Sequence, residues 1–200
     1  MTRREFLYYV WAASMALFMG QTAGAILWYA LPRFKEGEFG GSFDVPLDQL
    51  PKPDDPPAEF PEGRFWLVNI GPKTVADPRH PADGLTIQPG LVALYKVCVH
   101  LGCLYQWSPA NDRFQCPCHG SKYLKDGTRI RFPATRDLDQ FSIQAIDAEG
   151  NVLVANKVGD ADSGPTVGQA LTIPPGAVAI RVDTGKRIRG RHREGPGTVE

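Results

Sequence analysis

Six residues able to bind metal or form disulfides crowd one short stretch. All four cysteines of the chain (Cys98, Cys103, Cys116, Cys118) and two of its four histidines (His100, His119) fall within the runs CVHLGC and CPCHGS. Covalent attachment of a c-type haem requires C-x-x-C-H, and Cys116-Pro117-Cys118-His119 is one residue short of it. Two disulfides would use the cysteines, with three pairings open, and would leave both histidines without a purpose. A tetrahedral zinc site drawn from Cys98, His100, Cys116 and His119 uses the histidines and leaves Cys103 and Cys118 over.

One further pattern uses all six. CVHLGC and CPCHGS resemble the two signature loops of the Rieske [2Fe–2S] proteins, C-x-H followed by C-x-x-H, here with the residues Leu101 to Gln115 between them. The resemblance implies one [2Fe–2S] cluster, with Cys98 and Cys116 on one iron and His100 and His119 on the other. It also implies a disulfide between Cys103 and Cys118. Ser121 and Tyr123, in HGSKY, match the high-potential branch, where they hydrogen-bond a bridging sulfide and a cysteine sulfur. The similarity spans about Leu94 to Leu138. Three positions depart from the pattern: Val99 stands where quinol-oxidising members usually have Thr, with its side chain expected to point away from the irons. The third, cluster-covering loop reads RFPATRDL, with Phe132 and Thr135 in place of the Gly and second Pro of G-P-A-P.

The donor set explains the chemistry. Two ferric ions, two sulfides and two thiolates sum to zero charge, so one added electron makes a single negative charge. Replacing two thiolates by neutral imidazoles therefore raises the potential, to roughly −150 to +300 mV against about −400 mV for plant-type clusters. Each imidazole keeps a second nitrogen for a proton, and reduction raises its basicity. Such an acceptor suits the oxidation of a hydroquinone.

These loops need elements to hold them. From Phe6 to Pro32 there is no Asp, Glu, Lys or Arg, a run long enough to cross a membrane as a helix, with Trp11, Trp28 and Tyr29 near its ends. TRREFL before it resembles a twin-arginine export signal. Ala23-Gly24-Ala25 offers a cleavage site, but the apolar run continues past it, so an uncleaved anchor is expected. Gly37, Gly40 and Gly41 suggest a hinge, and the prolines between Pro46 and Pro61 suggest a spacer, or chain laid along a surface. Short apolar runs (RFWLVNI, LVALYKV, DQFSIQAI, NVLVA) bounded by turn residues then predict an antiparallel all-β head, with GAVAIRVD as one more strand and no amphipathic helix. The expected organisation is a signal region 1–5, an anchor 6–32, a hinge and linker 33–63, a Rieske domain 64–158 with its cluster-binding subdomain at about 94–138, and an extension and basic tail 159–200. The fold class is thus a Rieske-type head, base sheets plus a small cluster-binding subdomain, on one transmembrane helix.

Lys+Arg and Asp+Glu are equal at 22 each, so net charge steers the chain toward neither nucleic acid nor an anionic surface. A ring-hydroxylating oxygenase would need a mononuclear iron site, and only His80 and His192 remain to build it. A soluble ferredoxin would have no anchor. The resemblance implies the iron–sulfur subunit of a cytochrome bc-type quinol oxidase, an oxidoreductase component that takes an electron and a proton from quinol. The partners implied are a cytochrome b-type subunit and a c-type cytochrome or equivalent acceptor, within a dimeric complex. The expected location is the bacterial cell membrane, with the N-terminus cytoplasmic and the head exported, where a disulfide survives. The rival is the exported Rieske subunit of a periplasmic molybdenum oxidoreductase of the arsenite oxidase kind. A structural zinc protein is the alternative from another class.

Overall fold

A computed structural model describes residues 1–30, 41–80, 87–156 and 170–193. The chain divides into two units, Met1–Lys35 and Glu36–Glu200. The first is α1 (Arg3–Ala30), a helix of 28 residues with none buried. A reciprocal cap sets its start: Glu5 N–H donates to Thr2 Oγ1 at 3.3 Å and Thr2 N–H donates to Glu5 Oε2 at 2.8 Å. Ser14 and Thr22 donate back to the carbonyls of Val10 and Phe18, so neither hydroxyl is stranded along an apolar helix. Its length is about 42 Å, and among the described residues it alone is long and apolar enough to cross a membrane. The helix starts earlier than expected, with Arg3 and Arg4 in its first turn. Residues 31–40, which hold the end of the expected span and Gly37 and Gly40 of the expected hinge, lie outside the described residues.

The second unit is built of antiparallel strands: β1 (Ser42–Pro46), β2 (Ala58–Phe60), β3 (Phe65–Ile70), then a four-residue helix α2 (Pro72–Val75), β4 (Gly90–Tyr95), β5 (Gln106–Ser108), β6 (Arg113–Gln115), β7 (Lys122–Tyr123), β8 (Arg129–Arg131), β9 (Gln140–Ile146), β10 (Val152–Ala155) and β11 (Ala179–Ile188). The larger sheet runs β1-β11-β9-β4-β3-β2 with β10 paired to β9, and the smaller runs β5-β6-β7-β8.

The β3–β4 ladder is the wall between two cores. Phe65 and Leu67 of β3, with Leu91 and Ala93 of β4, face one core, which also holds Val45, Phe141, Ile143, Ile180 and Val182. The alternate residues Trp66, Val68, Ile70, Val92 and Leu94 face the other, which holds Cys98, Tyr105, Phe114, Cys116 and Tyr123. Strands buried on both faces must be apolar throughout, which is why FWLVNI and LVALY show no alternation. Full burial of each such side chain contributes about 1.5–3 kcal/mol, so the metal-binding loops stand on a rigid base.

Two boundaries differ from expectation. The stretch 33–63, expected to be hinge and linker, supplies β1 and β2 to the large sheet: Phe43 pairs with Val182 and Ala58 with Leu67. Between them Asp54 accepts N–H bonds from Lys73 and Thr74 and the Thr74 hydroxyl, capping the unexpected α2. The expected extension 159–200 contains β11, which lies between β1 and β9. Its AIRVD alternation puts Ile180 and Val182, both fully buried, in the core. On the other face Arg181 grips Asp44 through two bonds of 2.7 and 2.8 Å.

Candidate metal centre

The first cysteine–histidine loop joins β4 to β5, and the second is the connection between β6 and β7. Both fold alike. Cys98 N–H donates to Cys103 O at 2.7 Å and Gly102 N–H returns to Cys98 O at 3.0 Å. In the second loop Cys116 N–H donates to Ser121 O at 2.9 Å and Gly120 N–H returns to Cys116 O at 3.0 Å. Gly102 and Gly120 take φ of +83° and +79°, a conformation that L side chains resist. Each cysteine is thereby turned inward at the base of a tight loop.

The loops are joined by the Cys103–Cys118 disulfide, with Cα atoms 6.6 Å apart. Cys98 and Cys116 remain free thiols, buried beneath. The sulfur of Cys116 lies within 4.8 Å of the two bridged sulfurs, which are themselves committed. His119 is exposed and His100 half-buried, their rings edge to face with centroids 4.8 Å apart. Val99 is partly buried and packs against the core beneath the loops.

Tyr123, buried under the first loop, places its hydroxyl 3.1 Å from Cys98 Sγ. An aromatic stack fixes it: Tyr105 is 5.9 Å away, and Phe114 packs on Tyr105, Trp107 and Trp66. Tyr105 also donates to Tyr95 O at 2.9 Å. Burial, followed by the Cys98 contact, holds the Tyr123 phenol well above the usual tyrosine range, so it is a hydroxyl able to donate. Ser121, also fully buried, accepts Ala134 N–H at 3.0 Å, which draws the third loop over the second.

The residues present suit a [2Fe–2S] cluster. Burial pushes the Cys98 thiol up despite the hydrogen bonds that pull it down, so its thiolate needs positive charge, which ferric ions supply. His100 Nδ1 is buried with no hydrogen-bond partner, as a nitrogen reserved for a metal would be. Two soft thiolates and two imidazoles are the donors of a Rieske centre.

Sequence reasoning named Cys98, His100, Cys103, Cys116, Cys118, His119, Ser121 and Tyr123, and the structure brings all eight together. It did not find the Ser121–Ala134 bond, though the retained Pro133-Ala134 pair was a signal for it. Nor did it find Tyr105, two residues beyond Cys103, beneath Tyr123.

A two-sheet β domain that offers paired thiols and imidazoles from two disulfide-linked loops is the head of a Rieske iron–sulfur protein. The family model for the Rieske [2Fe-2S] domain matches residues 54–142. Cytochrome b6-f complex iron-sulfur subunit 3 of Nostoc sp. (strain PCC 7120) is 32% identical over 74% of this chain and 82% of its own. The cytochrome b6-f complex iron-sulfur subunit of Chlorobaculum tepidum is 28% identical over 76% of each. The plasma membrane Rieske protein PetC3 of Synechocystis PCC 6803, a crystal structure, is 28% identical, and the match covers 49% of this chain and 82% of its own at a TM-score of 0.29. The chain belongs to the family of Rieske iron–sulfur subunits of cytochrome bc-type complexes. It carries one [2Fe–2S] cluster and serves electron transfer, and α1, the one candidate span among the described residues, supports a single-pass membrane protein.

Proposed function

We propose that the chain accepts an electron and a proton from membrane quinol and passes the electron to a c-type cytochrome or equivalent carrier. Cys98 and Cys116 would hold one iron of the cluster, and His100 and His119 the other. The observation that carries this reading is the pair of imidazoles facing each other at the surface above two buried thiols. When bound, the cluster supplies a one-electron acceptor. The outward nitrogen of His100 or His119 accepts a hydrogen bond from a quinol hydroxyl and then its proton. Ser121 and Tyr123 direct hydroxyls toward the inner sulfurs and favour the reduced state. The Cys103–Cys118 bridge and the third loop keep water from the thiolates.

The relatives' membership in cytochrome b6-f complexes supports a cytochrome b-type partner for this chain, within a multi-subunit assembly that we propose to be dimeric. TRREFL supports export of the folded head by the twin-arginine route, with α1 retained as anchor and the N-terminus cytoplasmic. The disulfide agrees with a head on the oxidising side of the cell membrane. Gly37, Gly40 and Gly41 are proposed as the hinge on which the head moves between partners.

Membranes containing the full-length chain, treated with a hydroquinone and followed by EPR, test this reading. The reduced-cluster signal is expected to appear on quinol addition. A cluster reducible only by dithionite would reject quinol as donor.

A further inference from the structure

Beyond β11 the segment Gly190 to Arg193 stays on the domain. Gly190 to Arg193 runs antiparallel to the third loop: Asp137 N–H donates to Arg191 O at 2.8 Å, and Arg193 N–H donates to Thr135 O at 2.9 Å. An isolated bridge pairs Arg136 with His192, and Gly190 N–H donates to Asp139 Oδ1 at 2.8 Å. The approach at Gly190 is too close for any side chain, since a Cβ there would sit 1.9 Å from Asp137 O.

The side chains lock this arm. Arg193 Nε donates to Asp137 Oδ1, in an ion pair whose side chains are only 9% and 8% exposed. The same carboxylate oxygen accepts Arg129 N–H at 2.7 Å, and Arg129 Nη2 donates to Arg193 O at 3.2 Å. A desolvated ion pair adds little net stability but fixes geometry, because either charge left alone is costly. What it fixes is next to the cluster. Thr135, held by Arg193, follows Ala134, whose N–H donates to Ser121 Oγ. A hydroxyl that accepts a hydrogen bond becomes a stronger donor through its own hydrogen.

We propose that the Gly190–Arg193 arm is a positioning element for the cluster, in which Arg193, clasping Asp137 and Thr135, holds Ala134 N–H on Ser121 and so strengthens the hydrogen bond Ser121 gives. Arg193 is a positioning residue acting through Ala134, not a ligand. The inference rests on the reading of Ser121 above.

The test uses Arg193→Gln, Arg193→Lys and Ser121→Ala in the full-length protein, with Asp137→Asn breaking the same pair from the other side if Arg193→Gln does not fold. Hydrogen exchange at the Ala134 amide and the cluster's midpoint potential are read in each. Arg193→Gln is expected to speed Ala134 exchange about tenfold and to lower the midpoint, with β3 and β4 amides unchanged. Arg193→Lys is expected to restore both toward wild type. In a Ser121→Ala background, Arg193→Gln should no longer move the potential. Unchanged Ala134 exchange in Arg193→Gln would overturn the clasp. A potential shift that persists undiminished in the Ser121→Ala background would overturn it in favour of the arginine's bare charge. If Ser121→Ala alone leaves the potential unmoved, the reading of Ser121 fails and with it the redox role of the arm, while Ala134 exchange still reports whether the clasp exists.

Discussion

Tyr123 carries its hydroxyl to within 3.1 Å of the Cys98 sulfur, joining a β7 side chain to the loop that follows β4. A donor aimed at a metal-bound thiolate stabilises the state with more negative charge, the reduced one. Tyr123→Phe keeps the ring in its aromatic stack and removes only that donor. A tenfold shift of the redox equilibrium toward the oxidised form is expected, a midpoint lower by about 59 mV, with the EPR line shape of an intact cluster. An unchanged midpoint would show that the hydroxyl does not act on the sulfur.

The Cys103–Cys118 bridge closes a loop of sequence separation 15. Replacing both cysteines by Ser is expected to cost about 3 kcal/mol, a fall in Tm of about 6–12 °C for a domain of this size. Cluster loss on standing should quicken as well, followed by visible absorbance, because the two loops then part independently. Equal Tm and equal cluster lifetime would contradict that role.

Ile180 distinguishes a strand from a tail. It is fully buried in an interior strand of the larger sheet, so Ile180→Ala is expected to destabilise by about 2–5 kcal/mol in urea unfolding. A residue in a solvated extension would change stability by no more than about 0.5 kcal/mol.

How far the sequence could be read follows from the range of each interaction. The six metal-capable residues lie in the 22 positions from Cys98 to His119, so the resemblance to the Rieske loops that outlined the centre was local in sequence. β3 and β4 were legible because burial on both faces leaves an unbroken apolar run. β1 was not: SFDVP is short and ends in proline, and its partner Arg181 is 137 residues from Asp44. β11 was read only as one more strand, because alternation shows that one face is buried but not which neighbours flank it. The clasp on the third loop was invisible for the same reason, since Asp137 and Arg193 are 56 residues apart and each alone reads as surface charge.

His80 ties the segment after α2 to the smaller sheet. Its Nε2 lies 3.3 Å from Asp126 Oδ2 and its Nδ1 lies 3.0 Å from Asp77 O. Burial alone would lower its pKa, but the Asp126 carboxylate, with Asp77 behind it, raises it above the ordinary value. A raised histidine stabilises the fold fully below its unfolded pKa of about 6.5 and loses that contribution as pH climbs through the folded value. Wild type should therefore exceed His80→Gln by about 2–4 °C in Tm at acidic pH, and the gap should close in alkaline buffer. A gap independent of pH would mean that packing, not charge, is what His80 provides.

The central claim is a high-potential cluster held by Cys98, Cys116, His100 and His119, and a redox titration of the full-length protein followed by EPR tests it most directly. A midpoint well above 0 mV, in the upper part of the range of roughly −150 to +300 mV open to Rieske centres, is the predicted result. A midpoint near about −150 mV would contradict it and make the chain a low-potential carrier, unable to take electrons from quinol.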